Sequence, residues 1–249
     1  MRFENNVFSS SSVISGKLFL LGGALVAAMF SGSAAAERAV KIPPPAVDID
    51  AATPGVQKAV FAGGCFWGVQ AVFQHAKGVL QAVSGYAGGT QQNADYERVG
   101  SGNTGHAESV EITFDPKQIS YGKLLQIYFS VAHDPTQLNR QYPDSGTQYR
   151  SAVFYSDARQ KQVAERYIAQ LDAAHVFSKK IVTQLNPLSA FYAAETYHQD
   201  YATLHPDSGY IVRYDLPKIA NLKSTFPELY REAPMLVASQ ASAKLTNGK

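Results

Sequence analysis

One short stretch limits the possible folds of this chain more than any other. Gly63-Gly64-Cys65-Phe66-Trp67-Gly68 contains the only cysteine and the only tryptophan of the 249 residues. The apolar run 56–62 before it predicts a buried strand. Apolar residues after it recur at the spacing of one helix face: Val69, Val72, Phe73 and Ala76. Because glycines permit a tight turn, the stretch predicts a strand-turn-helix unit with Cys65 in the first helical turn.

This position has a consequence for the Cys65 thiol. The unpaired N–H groups and the dipole at the start of a helix favour negative charge. We therefore expect the pKa of Cys65 to lie below its usual value of about 8.5, which would enrich the nucleophilic thiolate. The alternative is a small, buried and inert cysteine.

Composition narrows the functional classes. The net charge of +2 and the lack of a dense basic run give no support for a nucleic-acid partner. The histidines are scattered without a cysteine partner, so no metal site and no bound cofactor are expected. A single cysteine excludes an internal disulfide, which favours a chemical role for the thiol.

Both ends of the chain differ from its centre. Residues 1–36 have a basic start, a short apolar run and small residues before Ala36, as export signals do. We expect a periplasmic or secreted protein, with a membrane anchor or an organelle transit peptide as the alternative. Residues 37–54 are predicted to be a linker and 55–230 the catalytic domain. Residues 231–249 are predicted to be a disordered tail.

The order of predicted elements indicates the fold class. Strands are expected at 56–62, 79–83, 109–114 and 151–155, and helices at 65–76 and after Ser120. This β-α-β-β-α-β order predicts a two-layer, ferredoxin-like α+β fold with helices on one face of a mainly antiparallel sheet. Further elements are expected at 157–173 (helix), 180–185 (strand) and 191–201 (short helix). Two long, polar loops, 85–105 and 133–149, are expected to be functional.

Polar side chains near these loops are candidates for the chemistry. Glu108 directly precedes a buried strand, where partial burial would raise its pKa and let it act as an acid. A solvated charge at the strand end is the alternative. Tyr96, Asp144 and Tyr149 lie on the loops, although each tyrosine taken by itself is more typical of a core residue than of a catalytic one. His106 is a possible base for Cys65.

The chain resembles a known family, the peptide methionine sulfoxide reductases of type A, from about residue 56 to 210. Five separated strings carry the resemblance in the family's order: Gly64-Cys65-Phe66-Trp67-Gly68, Gly85-Tyr86-Ala87-Gly88-Gly89, Thr104-Gly105-His106-Ala107-Glu108, His133-Asp134-Pro135-Thr136-Gln137 and Gly146-Thr147-Gln148-Tyr149-Arg150-Ser151.

The resemblance implies a role for four of the candidates. Cys65 would attack the sulfur of methionine sulfoxide, release methionine and become a sulfenic acid. Glu108 would protonate the sulfoxide oxygen. Tyr96 and Tyr149 would hydrogen-bond that oxygen, since a phenol donates without carrying charge. The S epimer at sulfur would be the substrate, either free or within oxidised proteins.

By the same resemblance, other residues would bind the substrate. Phe66 and Trp67 would form the wall around its S-methyl group. Asp144 would orient the substrate, and Tyr201, in His198-Gln199-Asp200-Tyr201, matches a further position near the pocket.

One departure from the family concerns the reductant. Many members carry a second cysteine after a Gly-Tyr pair, whereas here Gly209-Tyr210 is followed by Ile211. We therefore expect an external thiol, from a thioredoxin-like protein or a small molecule, to reduce Cys65. The protein is expected to act as a monomer. Two alternatives remain, a Cys/His hydrolase using His106 and a non-catalytic module that binds oxidised methionine.

Overall fold

The computed structural model describes residues 38–49 and 54–237. Its strands are β1 (Gln57–Gly63), β2 (Val79–Ala87), β3 (Ala107–Phe114), β4 (Arg140–Gln141), β5 (Asp144–Ser145), β6 (Ser151–Tyr155), β7 (Gln184–Pro187) and β8 (Phe191–Ala193). Its α-helices are α1 (Phe66–Gln74), α2 (Tyr96–Gly100), α3 (Tyr121–Ile127), α4 (Ala158–Ala173), α5 (Tyr201–Leu204) and α6 (Leu216–Thr225). Short 3-10 helices lie at Gln91–Asn93, Thr147–Tyr149 and Thr196–His198, and π-helical turns at Tyr128–Ala132 and Ile211–Asp215.

Within the described residues, six strands form one mixed sheet in the order β7-β6-β1-β3-β2-β8. Neighbouring strands are antiparallel apart from β6 and β7, which run parallel. Strands β4 and β5 form a separate hairpin. The predicted α+β class is confirmed. Gly63, the last residue of the central strand β1, pairs with Ser151 of β6, so the turn that carries Cys65 begins where these two strands meet.

The main core lies between one face of the sheet and the helices. Alternation along β3 directs Val110, Ile112 and Phe114 into it. Helix α1 contributes the apolar face that its sequence spacing predicts, and helices α3 and α4 also contribute: Val69, Val72, Phe73, Leu124, Leu125, Val163, Ala164, Tyr167 and Leu171. The core therefore fixes helix α1, and with it the turn that carries Cys65, to the sheet.

The segment after β6 differs from the sequence prediction. Residues 191–201 do not form a helix, because Phe191, Tyr192 and Ala193 pair with β2 as the outermost strand of the sheet and Thr196–His198 forms only a 3-10 turn. The strand expected at 180–185 lies at Gln184–Pro187 instead. In both places pairing to a sheet edge, which depends on distant residues, outweighs the local pattern.

Residues beside the predicted catalytic domain pack onto it where they are described. The amide of Val40 donates to the carbonyl of Ser130 at 2.9 Å, and the Tyr167 hydroxyl donates to the carbonyl of Pro43 at 2.6 Å. At the other end, Met235 donates its amide to the carbonyl of Gln74 at 3.0 Å. The predicted leader, 1–36, lies outside the described residues, and the linker and tail boundaries stay predictions.

No helix in the described ranges has the length and apolar character required to cross a membrane.

Candidate active site

The turn between β1 and α1 presents Cys65 at the start of the helix. Gly64 has a φ of +87°, and a Cβ there would lie 2.5 Å from the side chain of Gln141, so this position requires glycine. Cys65 occupies the N-cap position of α1, and its thiol is free and only 8% exposed. The sequence prediction of a strand-turn-helix unit at this cysteine is confirmed.

Cys65 opens into a cavity of about 250 Å³. The residues lining it come from the β1–α1 turn, α2, β3, the β4–β5 hairpin and later loops: Cys65, Phe66, Trp67, Tyr96, Glu108, Asp144, Tyr149 and Tyr210. The structure thus brings together seven of the eight predicted site residues, and the eighth, Tyr201, packs behind this lining against Trp67.

Glu108 lies inside the cavity as a buried carboxyl group. It is 4% exposed, and one of its oxygens accepts a hydrogen bond from the amide of Phe66 at 3.0 Å. Burial raises the pKa of Glu108 to about 8; the Phe66 amide opposes the shift, while Asp144 and Asp215 add to it. The expected rise is confirmed, and the alternative of a solvated strand-end charge is wrong.

The Cys65 thiol behaves differently from the sequence expectation. Burial raises its pKa well above the ordinary value, and the negative charges of Glu108 and Asp215 raise it further. The amide of Trp67 donates a hydrogen bond that acts in the opposite direction. The predicted lowering is therefore wrong, because the favourable helix terminus is outweighed by desolvation and by neighbouring carboxyl groups.

Two tyrosines line the cavity from different elements. Tyr96 is the first residue of α2, and Tyr149 ends the 3-10 turn Thr147–Tyr149. Burial raises the pKa of both phenols, with the charge of Glu108 as the next contribution. Both hydroxyl groups therefore stay protonated near neutral pH and are available as hydrogen-bond donors.

Aromatic side chains form one wall of the cavity. The Trp67 ring stacks on Tyr201, with centroids 3.8 Å apart and planes 9° from parallel. Its indole N–H donates to Nδ1 of His198 at 3.2 Å. Phe66 is buried and packs against Tyr86, with centroids 5.9 Å apart. These contacts hold both rings in place beside Cys65.

Sequence reasoning did not find the site roles of Tyr210 and His198. Tyr210 lines the cavity, and its hydroxyl donates to the carboxylate of Asp144. His198 accepts the hydrogen bond from Trp67, which lies 131 residues earlier. Both residues stand in strings that the sequence had singled out, Gly209-Tyr210 and His198–Tyr201, but contacts over such distances have no local pattern.

His106, the possible base for Cys65, forms hydrogen bonds outside the Cys65 cavity. Nδ1 of His106 accepts from the amide of Gly89 at 3.2 Å, and its Nε2 contacts the carbonyl of Thr90 at 3.0 Å. Across the described part of the chain, no histidine lines the Cys65 cavity. The Cys/His pair that the hydrolase alternative requires is therefore not formed in this cavity. In the same residues, no three acidic, histidine or cysteine side chains are grouped as metal ligands.

Comparison with known proteins decides the family. The family model described as peptide methionine sulfoxide reductase matches residues 57–229, which include every residue of the cavity lining. The chain belongs to this family.

Relatives support this membership along most of the chain. The peptide methionine sulfoxide reductase MsrA 2 of Mesorhizobium japonicum is 61% identical over 191 residues, covering 77% of this chain and 98% of that protein. MsrA 2 of Synechocystis is 50% identical, covering 75% of this chain and 89% of that protein. The solved structure of methionine sulfoxide reductase A of Corynebacterium diphtheriae is 32% identical with a TM-score of 0.53, covering 70% of this chain and 90% of that one.

Membership in the peptide methionine sulfoxide reductases defines the overall reaction. The protein is an oxidoreductase that reduces the S epimer of methionine sulfoxide to methionine and thereby repairs oxidised proteins. A purely non-catalytic role is excluded by this assignment.

Proposed function

We propose that Cys65 is the nucleophile of this reductase and that the cavity around it supplies the proton and the binding contacts. One cavity of about 250 Å³ brings together a thiol, a carboxyl group with a raised pKa and two phenols, and this arrangement is the main support for the proposal. Each of these groups matches one requirement of sulfoxide reduction.

The chemical step transfers oxygen from one sulfur to another. Cys65 attacks the sulfoxide sulfur as a thiolate, and Glu108 gives its proton to the sulfoxide oxygen. The attack forms a bond between the two sulfurs. The protonated oxygen then moves to the Cys65 sulfur as the substrate S–O bond breaks, and the S–S bond breaks to release methionine. Sulfoxide sulfur is reduced and Cys65 is oxidised to a sulfenic acid. The thiol proton passes to solvent when the thiolate forms, and a proton from solvent later restores Glu108, so atoms and electrons balance.

The protonation states of Cys65 and Glu108 support each other in this step. A charged Glu108 opposes formation of the thiolate, as its effect on the pKa of Cys65 indicates. A protonated Glu108 removes that repulsion and is also the form that can act as an acid. The reactive state therefore combines a thiolate with a neutral carboxyl group, and the pKa of about 8 for Glu108 keeps that group protonated at neutral pH.

We assign the remaining lining residues to binding. Tyr96 and Tyr149 donate hydrogen bonds to the sulfoxide oxygen as charge develops on it. Phe66 and Trp67 surround the S-methyl group with polarisable apolar surface. Asp144 orients the substrate.

Two further tyrosines support these binding residues. Tyr210 holds the carboxylate of Asp144 through its hydroxyl, and Tyr201 supports the Trp67 ring by stacking.

Regeneration of Cys65 requires a thiol from outside the chain. Because the sequence holds no second cysteine, an incoming thiolate must attack the sulfenic sulfur, forming a mixed disulfide and releasing water. A second thiol then attacks the disulfide and frees Cys65. A thioredoxin-like dithiol protein carries both thiols and is the reductant that we favour, with a small thiol as the alternative.

Three broader features belong to the same proposal. The order β6-β1-β3-β2 among the four predicted core strands, with α1 and α3 as the connecting helices, supports a ferredoxin-like core.

The basic start and apolar centre of residues 1–36 support export. We further propose that the protein acts as a monomer.

Mass measurement after one equivalent of substrate tests the proposed chemistry. Without reductant, methionine S-sulfoxide should release one methionine per chain and add one oxygen, which a thiol converts into an adduct. The R epimer is the control and should leave the mass unchanged. A loss of two hydrogens without any adduct would show that another atom of the chain captures the sulfenic sulfur. Full methionine release with no change in protein mass would contradict a covalent role for Cys65.

A further inference from the structure

Glu195 lies outside the cavity lining but contacts Tyr96, which belongs to that lining, and Tyr86, which packs on the lining residue Phe66. It follows strand β8 and precedes the 3-10 turn Thr196–His198. One carboxylate oxygen accepts from the backbone amide of Tyr96 at 3.0 Å. The other accepts from the hydroxyl of Tyr86 at 2.9 Å. One side chain thus joins two elements that are remote from it in sequence.

The bond to Tyr96 fixes the start of helix α2. This helix has only five residues, and the carboxylate of its N-cap Asp95 accepts from the amide of Arg98. The amide of Tyr96 itself is bound by Glu195 instead. A helix this short has little stability of its own, so an external anchor determines where its first residue lies. The Tyr96 ring also packs on His198, with centroids 4.4 Å apart.

The hydrogen bond to Tyr86 connects Glu195 to strand β2. Tyr86 is fully buried in β2, pairs in register with Glu108 of β3 and packs on the Phe66 ring. Burial alone would raise the pKa of Glu195, but hydrogen bonds, the one from Tyr96 foremost, and the nearby His198 hold it below its ordinary value. Glu195 is therefore a carboxylate at neutral pH, and hydrogen bonds to an ion are stronger than neutral ones.

We propose that Glu195 is a positioning residue that holds the phenol of Tyr96 in reach of the sulfoxide oxygen. This inference rests on the proposed role of Tyr96. It gives Glu195 no contact with the substrate, and its effect on the reaction passes through α2. Misplacing a catalytic group by an ångström is enough to slow a reaction by orders of magnitude.

A double-mutant cycle on the full-length protein separates positioning from general structural support. The measured quantity is the single-turnover rate of methionine release. In a Tyr149→Phe background, Tyr96 is the remaining phenol that can serve the oxygen, because Tyr210 donates to Asp144. There, Glu195→Ala should slow release by about 5-fold to 100-fold. In a Tyr96→Phe background, the same change should alter the rate by less than about 2-fold, since the group it positions is absent.

Controls make each outcome decisive. Glu195→Gln keeps an acceptor for the Tyr96 amide and should restore most of the rate. Glu97→Ala removes an exposed carboxylate from the same helix and should leave the rate unchanged. If the Ala variant does not fold, Glu195→Asp, which withdraws the carboxylate by one methylene, replaces it in the cycle.

Two results would contradict the proposal in different ways. If Glu195→Ala caused equal losses in the Tyr96→Phe and Tyr149→Phe backgrounds, with Tyr96→Phe itself harmful, the positioning role alone would be overturned. If Tyr96→Phe had no effect on the rate, either alone or combined with Tyr149→Phe, the role of Tyr96 would be overturned, and the role of Glu195 with it.

Discussion

The floor of the cavity and its rim are built in different ways. The floor, Cys65 and Glu108, comes from the β1–α1 turn and from β3, and both side chains are more than nine-tenths buried. The rim, Trp67, Asp144, Tyr201 and Tyr210, is partly exposed and depends on a two-residue strand and on segments late in the chain. The reacting groups therefore sit on core elements. In the rim, Trp67 also belongs to helix α1, whereas Asp144, Tyr201 and Tyr210 sit on or beside short elements. Floor variants should change the chemical rate, and rim variants should change substrate affinity.

The largest effect is expected from Cys65→Ser. An alcohol is a far weaker nucleophile towards sulfur, so turnover should fall by more than about 10³-fold. Because serine is close in size and the position makes no side-chain cap, folding should be unaffected. Steady-state methionine formation measures the loss, and thermal unfolding verifies the fold. Activity above about a hundredth of wild type would remove Cys65 from the mechanism.

Glu108→Gln should produce the next largest loss. The amide keeps the shape and an acceptor for the Phe66 amide but has no proton to give, so sulfenic acid formation should slow by about 10²-fold to 10⁴-fold. The wild-type rate should fall as the pH rises above about 8, because Glu108 then loses its proton. That alkaline fall should be absent from the variant. Stopped single-turnover assays across pH measure both effects.

A matched control lies on the same strand. Glu111 is three residues away on β3 and forms a surface ion pair with Lys58 at 2.7 Å. Glu111→Gln should leave the rate and its pH profile unchanged, since such pairs contribute little. If Glu111→Gln and Glu108→Gln gave equal losses, the effect would come from the charge of the strand rather than from a proton donor in the cavity.

Sequence patterns predicted the floor well because its elements are locally encoded. The apolar run before Cys65 and the helical spacing after it gave β1 and α1 to within about two residues. Ser120 was expected to cap a helix, and its hydroxyl accepts from the amide of Lys123 at 3.1 Å. For Glu108 the sequence left two possibilities, a partly buried acid and a solvated charge at the strand end, and the structure shows the buried one.

The same patterns failed where a feature depends on contacts between residues that are distant in sequence. The pKa of Cys65 is raised by burial first and then by Glu108 and Asp215, none of which the helix position reveals. Strand β8 exists because residues near 191 meet the edge of β2, about a hundred residues earlier in the chain. Tyr210 reaches Asp144 across 66 residues. Such contacts arise from the assembled fold, so the binding roles of Trp67, Asp144 and Tyr201 came only from the resemblance, and that of Tyr210 was not predicted.

The smallest effect is expected from the rim variant Tyr201→Ala. Its ring stacks on Trp67 at 3.8 Å, and an aromatic pair contributes about 0.5 to 1.5 kcal/mol beyond its buried area. Without that support the Trp67 ring is less well fixed, so KM for methionine S-sulfoxide should rise by roughly 2-fold to 10-fold. The single-turnover rate at saturating substrate should change by less than about 2-fold, because the floor stays intact. Tyr155→Ala is the control and should not change KM. Tyr155 ends β6, whereas Ser151, at the start of this strand, pairs with Gly63 next to the Cys65 turn. If the single-turnover rate at saturating substrate fell instead, Tyr201 would also help to align the reacting groups. Trp67 and Tyr201 would then belong with the floor rather than with the rim.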